Sequence, residues 1–499
     1  MNEKTQLGVR ILVVALVLGV LGDALLREGP WGFNFFLWSA ALVLALIELG
    51  SWRREALAGG GHWLLLPVAF SGAAFMWHDS PALKLLNVLA VLVALSLVLL
   101  RAQGARLFHS GIMAYVLGGV LAGLNAIIGL LILLLGDIQW RGMLNDRLSR
   151  RAVAVIRGLL FALPVLLVFG SLLIAADAIF EGIIKDVLHL DFTTLFMHAF
   201  VTGFFAWIVA GFLRGVLVGK DRESLTSLRA PSLSLGIIET GIVLGSLDLL
   251  FLSFVLVQFR YFFGGAAHVG VTKGLTYAEY ARRGFFELLT VAALVLPLLL
   301  LAHWLLRKGE PGNERIFRVL AGVQILLLFV IMASAFQRMR LYQQEYGLTE
   351  QRLYPTAFMG WLAVVFIWFA VTVLRGHRER FAFGAMVAGF LLIGALHLLN
   401  PDAFVARVNV ARALEGRRFD AHYAASLSAD AVPTLVVALP GLRQEDRCTL
   451  AAQIINRWSS ADASDWRTWN HTRTRALQVV QHDATQLRAM ACPGKDKKD

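Results

Sequence analysis

The chain has 499 residues, 58% of them hydrophobic and 16% charged, with a mean hydropathy of +0.68 and a formal net charge of +12. Water-soluble domains carry roughly 25% charged residues, so the composition excludes an ordinary soluble enzyme and makes the lipid bilayer the solvent for most of the chain. The positive balance does not indicate nucleic acid, because Lys and Arg lie singly or in twos between apolar runs and form no basic cluster. Orientation charges and contact with anionic lipid account for it.

In chain order, apolar segments predict spans at residues 7–26, 31–50, 62–78, 82–100, 112–135, 153–176, 195–218, 235–257, 284–306, 315–337, 355–374 and 380–399. Each is near the ~20 residues that cross a hydrocarbon core of ~30 Å. The expected fold class is all-α, a polytopic transmembrane helical bundle of about 11–13 spans with a small helical C-terminal tail. A barrel is disfavoured, since the runs are continuously apolar and lack the alternation of lipid-facing strands. The first segment follows a short basic start (Lys4, Arg10) and has no small-residue cleavage site, so it reads as an uncleaved anchor. The expected organisation is N-terminal transmembrane segments at 1–152, a main bundle at 153–399 and a helical extracytoplasmic tail at 400–499.

Charge sets the orientation. Beyond residue 136, the loops carrying Arg141, Arg150, Arg214, Arg222, Arg307, Arg315, Arg375 and Arg380 outweigh those carrying Lys185, Arg260, Lys273, Arg338 and Arg352. By the positive-inside rule the first set is cytoplasmic and the tail lies outside. The first third disagrees in parity: Lys4, Arg10, Arg53, Arg54, Arg101 and Arg106 favour a cytoplasmic N-terminus, which would put residue 136 outside. The two halves agree only if one early segment does not cross. The Gly-rich run 112–135 (Gly118, Gly119, Gly123, Gly129, with Gly136 after it) is expected to be that segment, re-entrant or lying on the surface.

The loop 260–288 is the most distinctive polar stretch. Thr276 and Glu279 have capping-box spacing, which predicts a helix from Tyr277. Glu279, Arg283 and Glu287 then stand four residues apart along one helix face. Arg260, Arg282 and Arg283 beside Tyr261, Tyr277 and Tyr280 suit a phosphate or carboxylate headgroup. The same residues equally describe the snorkelling arginines and aromatic belt of any span. A second loop, 337–355, holds Arg338, Arg340, Tyr342, Glu345, Tyr346, Glu350 and Arg352, with Gly347 as a helix C-terminus and Pro355 marking the next start. It reads as a short amphipathic surface helix, or as the second wall of a site shared with the first loop.

Charges inside apolar runs are costly, which singles out Asp23, Glu48, Glu239, Asp248 and His303. Glu239 and Asp248 share a helix nine residues apart, so they face opposite ways and form no dyad. Asp248 is the more central; a carboxylic acid bonded to a neighbouring helix explains it, and proton coupling is the alternative.

No HExxH, GxSxG, complete Walker loop, GxGxxG or CxxC occurs, and the histidines lack ligand spacing, so no metal and no cofactor are expected. The tail reads as several short helices separated by Gly, Pro and Ser/Asp breaks. It holds both cysteines, Cys448 and Cys492, which can pair if the tail faces an oxidising compartment.

The stretches LTYAEYARRGFFEL (275–288), YGLTEQRLY (346–354) and RRFDAHYAASLSADAVPTL (417–435), with Asp177, RYFFGG, Asn409 and Arg412, resemble a bacterial family of multi-pass membrane proteins classed only as a domain of unknown function, the one numbered 4173. The likeness runs from about Ala175 into the tail. It implies a bacterial cytoplasmic membrane protein and brings no activity, substrate or catalytic residue with it.

The expected function is a non-enzymatic transport or membrane-assembly role. One alternative is a membrane-embedded enzyme acting on a lipid-linked or anionic substrate, with Glu279 or Glu287 as base and Arg282 or Arg283 as clamp. Another is an envelope sensor or scaffold whose tail binds a second envelope protein.

Overall fold

The computed structural model describes residues 2–52, 61–140, single positions between 155 and 177, and residues 192–219, 235–263, 284–306, 311–459 and 465–491. Among them every regular element is helical, apart from one bridge between Leu235 and Leu306. The membrane part comprises α1 (Glu3–Leu26), α2 (Phe33–Trp52), α3 (Leu66–Trp77), α4 (Pro81–Ala102), α5 (Ile112–Ile132), α6 (Phe192–Leu217), α7 (Ile237–Phe263), α8 (Phe285–Leu305), α9 (Pro311–Tyr346), α10 (Glu350–Thr372) and α11 (Phe381–Leu399). The tail forms α12 (Pro401–Leu414), α13 (Ala421–Ser426), α14 (Val432–Ala438), α15 (Gln444–Trp458), α16 (His471–His482) and α17 (Ala484–Met490). Ten described helices are long and apolar enough to cross a membrane, which makes this an integral, multi-pass protein. The expected span 153–176 lies largely outside the described residues.

The helices alternate between two ends. Asp23 meets His198 while Lys4 and Arg214 share Asp137, so α1 and α6 run antiparallel. Leu235 donates to Leu305 O, which sets the start of α7 beside the end of α8. One end therefore gathers the start of α1 and the ends of α4, α6, α8 and α10. Lys4, Arg101, Arg106, Arg214, Arg315, Arg318, Arg375, Arg378 and Arg380 lie there. The tail packs on the other end.

Two early segments behave differently from what length alone suggests. Residues 61–77 contain only a 3-10 turn (Gly61–Leu65) and the 12-residue α3, yet they run from end to end. Trp63 touches Phe383 at the start of α11, Val68 packs with Val91 and Ala94, and Phe75 stacks on Phe35 at the start of α2. By contrast, residues 112–137 meet the length test for a span but lie with both ends at the charged end. Phe108, just before α5, contacts Phe383, and Asp137, just after it, pairs with Lys4. A single Arg214 guanidinium reaches both Asn125 and Asp137, so α5 passes across α6 instead of along it. Gly129 and Gly211 permit that crossing, since a Cβ at Gly211 would run into the Asn125 carbonyl oxygen. That placement is compatible with the surface-lying reading of 112–135, which stays a proposal.

Apolar side chains form two membrane cores. One joins α1, α2, α4, α5 and α6 around Ile11, Leu46, Val98 and Leu213; the other joins α7 to α10 around Leu244, Leu328, Val365 and Phe369. Helix α11 bridges them, with Phe383, Met386 and Phe390 against the first and Phe381 in the second. Asn400 then ends α11 in the left-handed region (φ 52) and caps α12 by accepting from Ala403 N, which turns the chain out of the bundle. A third core, including Leu435, Leu450 and Leu477, fills the tail and takes in Leu348 from the α9–α10 turn. The tail is thus a cap fixed to the bundle.

The expected short surface helix within 337–355 is corrected. No Gly or Pro interrupts 323–346, so α9 continues unbroken for 36 residues, about 54 Å at 1.5 Å per residue. It overshoots a ~30 Å core and carries Tyr342 and Tyr346 beyond the membrane. Gly347 (φ 77) ends it as expected, and α10 starts at Glu350, ahead of Pro355.

If α5 keeps both ends on one side, Gly111→Cys and Gln139→Cys, both exposed positions, will share their reactivity toward a membrane-impermeant maleimide. Both should stay at wild-type background in intact cells and label strongly in inverted vesicles. Opposite sidedness would mean that α5 crosses.

Candidate functional site

The seam between bundle and cap concentrates buried polar groups. It is built by four chain breaks that fall at one level: the α1–α2 loop, the α3–α4 turn, the α9–α10 turn and Asn400. Immediately after α3, His78 places its Nδ1 2.6 Å from Asp430 Oδ1, and Asp79 N–H donates to Asp430 Oδ2 at 2.8 Å. The Ser428 hydroxyl adds a third donor to Oδ2 at 3.0 Å. Asp430 is only 5% exposed. Burial by itself pushes its carboxyl up, but the His78 bond and charge, the Asp79 amide and Ser428 together hold it below the usual carboxylate value.

His78 lies against His397, ring centroids 5.3 Å apart, and His397 Nε2 pairs with Asn87 Oδ1 at 3.0 Å. Asp79 binds Lys84 Nζ at 2.6 Å and the Arg473 guanidinium of the cap. Asn470 caps α16 through Arg473 N and donates to the carbonyls of Phe75 and His78, at 2.9 and 3.0 Å. Farther along the rim, Phe33 N–H donates to Trp469 O at 2.9 Å and Arg467 Nη1 donates to Ala24 O at 2.7 Å.

The second half of the seam joins α10 to α12. Asp402 is 1% exposed; its Oδ2 accepts Ser428 N–H at 3.1 Å, while Oδ1 receives no N–H or hydroxyl. The Glu350 carboxyl lies beside Asp402, near enough for the two charges to oppose each other. Two buried acids so placed favour sharing one proton over carrying two charges. Burial raises the Asp402 carboxyl above its ordinary range and the Asp430 charge adds to that, against the opposing hydrogen bonds from Ser428. Tyr423 OH accepts Glu350 N–H at 2.9 Å, leaving its own proton to donate; burial first, then the two carboxyls, push its hydroxyl up to about 12. Tyr354 OH meets Ser80 Oγ at 3.4 Å, linking the two halves.

Asn409 locks the cap to the α9–α10 turn. Its amide accepts Leu348 N–H at 2.8 Å and donates to Leu348 O at 2.7 Å, the pairing one strand would offer another. Arg412 donates to Gln344 O and Glu345 O. Gly347 is required here: beyond its positive φ, a Cβ would meet Asn409 Oδ1 at 2.6 Å.

The residues singled out from sequence divide into three groups. Arg352 and Tyr342 come together, with Arg352 stacked 4.0 Å over the Tyr342 ring and donating to Gly347 O, while Glu350 N–H turns to Tyr423 of the cap. Glu279, Tyr280, Arg282, Arg283 and the expected cap at Thr276 lie outside the described residues, as do the side chains of Arg260 and Tyr261. Glu287 Oε2 caps α8 by accepting Gly284 N–H at 2.9 Å, and Arg340 is exposed on α9. Glu239 is exposed while Asp248 is buried on α7. Cys448 is buried and not free; Cys492 lies outside the described residues, and their pairing remains a proposal.

Sequence reasoning missed His78, His397, Asp402 and Asp430, because their partners are remote: 352 positions separate His78 from Asp430. One local signal was present. His78 follows an apolar segment directly, while His397 and Asp402 flank the end of another. Among the described residues no group of three or more His, Cys, Asp and Glu is arranged to hold a metal ion.

A family model described as a domain of unknown function, DUF4153, matches residues 65–438. It replaces the number 4173 expected from the sequence and reaches back to α3, well ahead of Ala175. No curated protein and no solved structure matches the chain.

The two seam aspartates predict opposite pH limbs. Asp402, raised in the folded state, adds stability that is complete below its unfolded value and lost as pH rises through its folded one; Asp430, lowered, adds stability that is lost as pH falls through its folded value. In thermal unfolding of the detergent-solubilised protein, Asp402→Asn should flatten the alkaline limb. Asp430→Asn, which strips a buried charge pair, should cost about 3 kcal/mol at neutral pH. An unchanged alkaline limb in the first variant would remove the assignment.

Proposed function

The chain belongs to the DUF4153 family, a domain of unknown function, and for this member we propose a non-enzymatic transport role in preference to membrane assembly. The observation that carries the reading is the Glu350–Asp402 pair. One carboxyl belongs to the first turn of a span, the other to the first helix of the cap, and two buried acids at one joint are eased by sharing a single proton. Gaining or losing that proton changes the bond between cap and span, which is what a coupled carrier needs at its mouth. The tail acts in this reading as part of the carrier's outer face.

The reading sets the protein in a bacterial cytoplasmic membrane with the cap extracytoplasmic. The gathering of Lys4, Arg101, Arg106, Arg214, Arg315 and Arg380 at the opposite end supports that orientation. A second reading, a membrane-embedded enzyme acting on a lipid-linked or anionic substrate, draws on the Arg352–Tyr342 stack and on His78, whose ring is oriented by Asp430 as a general base would be. A scaffold that recruits an envelope partner through a separable tail is the least favoured, since the cap shares its core with Leu348.

The test is proton flux in liposomes that carry the purified protein and an internal pH dye. Under an imposed pH gradient, wild type should dissipate it faster than protein-free liposomes, and Glu350→Gln or Asp402→Asn should slow that rate several-fold. Wild-type flux equal to that of empty liposomes, across a panel of added small anions and cations, would end the transport reading.

A further inference from the structure

The interface of α7 and α9 contains a second polar site, remote from the seam. These helices run parallel. The start of α7 lies beside the end of α8, which is joined to the start of α9 by residues 306–310, and near their far ends Ser334 Oγ donates to Gln258 Oε1 at 3.1 Å. That contact fixes the register. Ten residues before each partner stand Asp248 and Gln324, so the two occupy one level, with Leu244 and Phe251 of α7 and Ala321 and Leu328 of α9 above and below them. Asp248 is 8% exposed and Gln324 0%.

Neither side chain has found a hydrogen-bond partner. Both oxygens of Asp248 and both amide atoms of Gln324 are buried and unpaired. A carboxylate cannot remain charged in such a place without donors or a counter-charge, and an amide cannot remain unbonded without cost. The nearby titratable groups do not supply the charge. Glu239 is exposed on the opposite face of α7, Arg318 is six residues before Gln324 and engaged with Glu314 at 3.0 Å, Arg338 is fourteen residues after it, and Glu287 and His303 stand at the two ends of α8.

A neutral carboxylic acid and a primary amide are mutually complementary: the acid O–H donates to the amide oxygen, and the amide N–H donates to the acid carbonyl. One proton on Asp248 therefore supplies the donor that lets the two groups satisfy all four orphaned atoms between them. We propose that Asp248 and Gln324 form a proton-binding site within the membrane, occupied in the resting protein and emptied when Asp248 ionises. This deepens the transport reading by supplying its coupling ion, and rests on that reading only for the use of the proton.

The experiment uses the full-length protein in liposomes and dicyclohexylcarbodiimide, a hydrophobic reagent that modifies protonated carboxyl groups in apolar surroundings. Mass spectrometry should find the N-acylurea on Asp248, declining several-fold as pH rises, and absent in Asp248→Asn. Gln324→Leu removes the donor that helps the ionised form, so labelling should persist to higher pH than in wild type. An adduct on lipid-exposed Glu239 with none on Asp248 would overturn the proposal, as would labelling of Asp248 that ignores pH. The readout separates the two claims: a pH-dependent adduct without proton flux leaves the site standing and removes the transport reading.

Discussion

Asp430 is the constraint on which the cap end of the molecule depends. Its carboxylate is taken out of water and kept charged, which is tolerable only when donors converge on both oxygens. Those donors come from two parts of the chain that meet nowhere else in sequence: the His78 ring and Asp79 amide from the α3–α4 turn, and Ser428 from the cap. Satisfying one charge therefore fixes the cap over the bundle. The neighbouring contacts, from Asn470 on the carbonyls of 75 and 78 to Asn409 on Leu348, extend that attachment along the rim.

The opposite end is locked by a comparable device. Asp137 accepts from Lys4 and Arg214, and the same arginine reaches Asn125, which holds α5 across the base of α1 and α6. Between these two polar layers the interior is apolar, in two cores joined by α11. Against that background the unpaired Asp248 and Gln324 stand out. Buried polar atoms are paired almost everywhere in native proteins, and the exceptions tend to mark where something binds or moves.

The seam treats its carboxyl groups unequally. Asp430 is driven down by donors and a histidine, while Asp402, linked to it through Ser428, is driven up by burial and lies beside the Glu350 carboxyl. Environments that push neighbouring acids apart are how proteins assign one to hold charge and another to exchange protons. The first keeps the cap in place and the second lets the joint respond to pH, which is the physical basis for reading the seam as a working part.

The sequence by itself determined what periodicity, charge and local punctuation can carry: an all-helical, multi-pass chain, the approximate places of most spans, the glycine at 347 that closes α9, and a charge parity that conflicts unless one early segment does not cross. Hydropathy reports solvent, and a helix's own turns decide most of these features. Tertiary structure alone decided which polar groups meet. It carried α9 through the loop expected at 337–355. It also brought His78 to Asp430, Asp402 to Glu350 and Asp248 level with Gln324. The reason is distance along the chain: a buried charge is stabilised by donors that can come from any element packed beside it, and one sequence read in order carries no signal linking residues hundreds of positions apart.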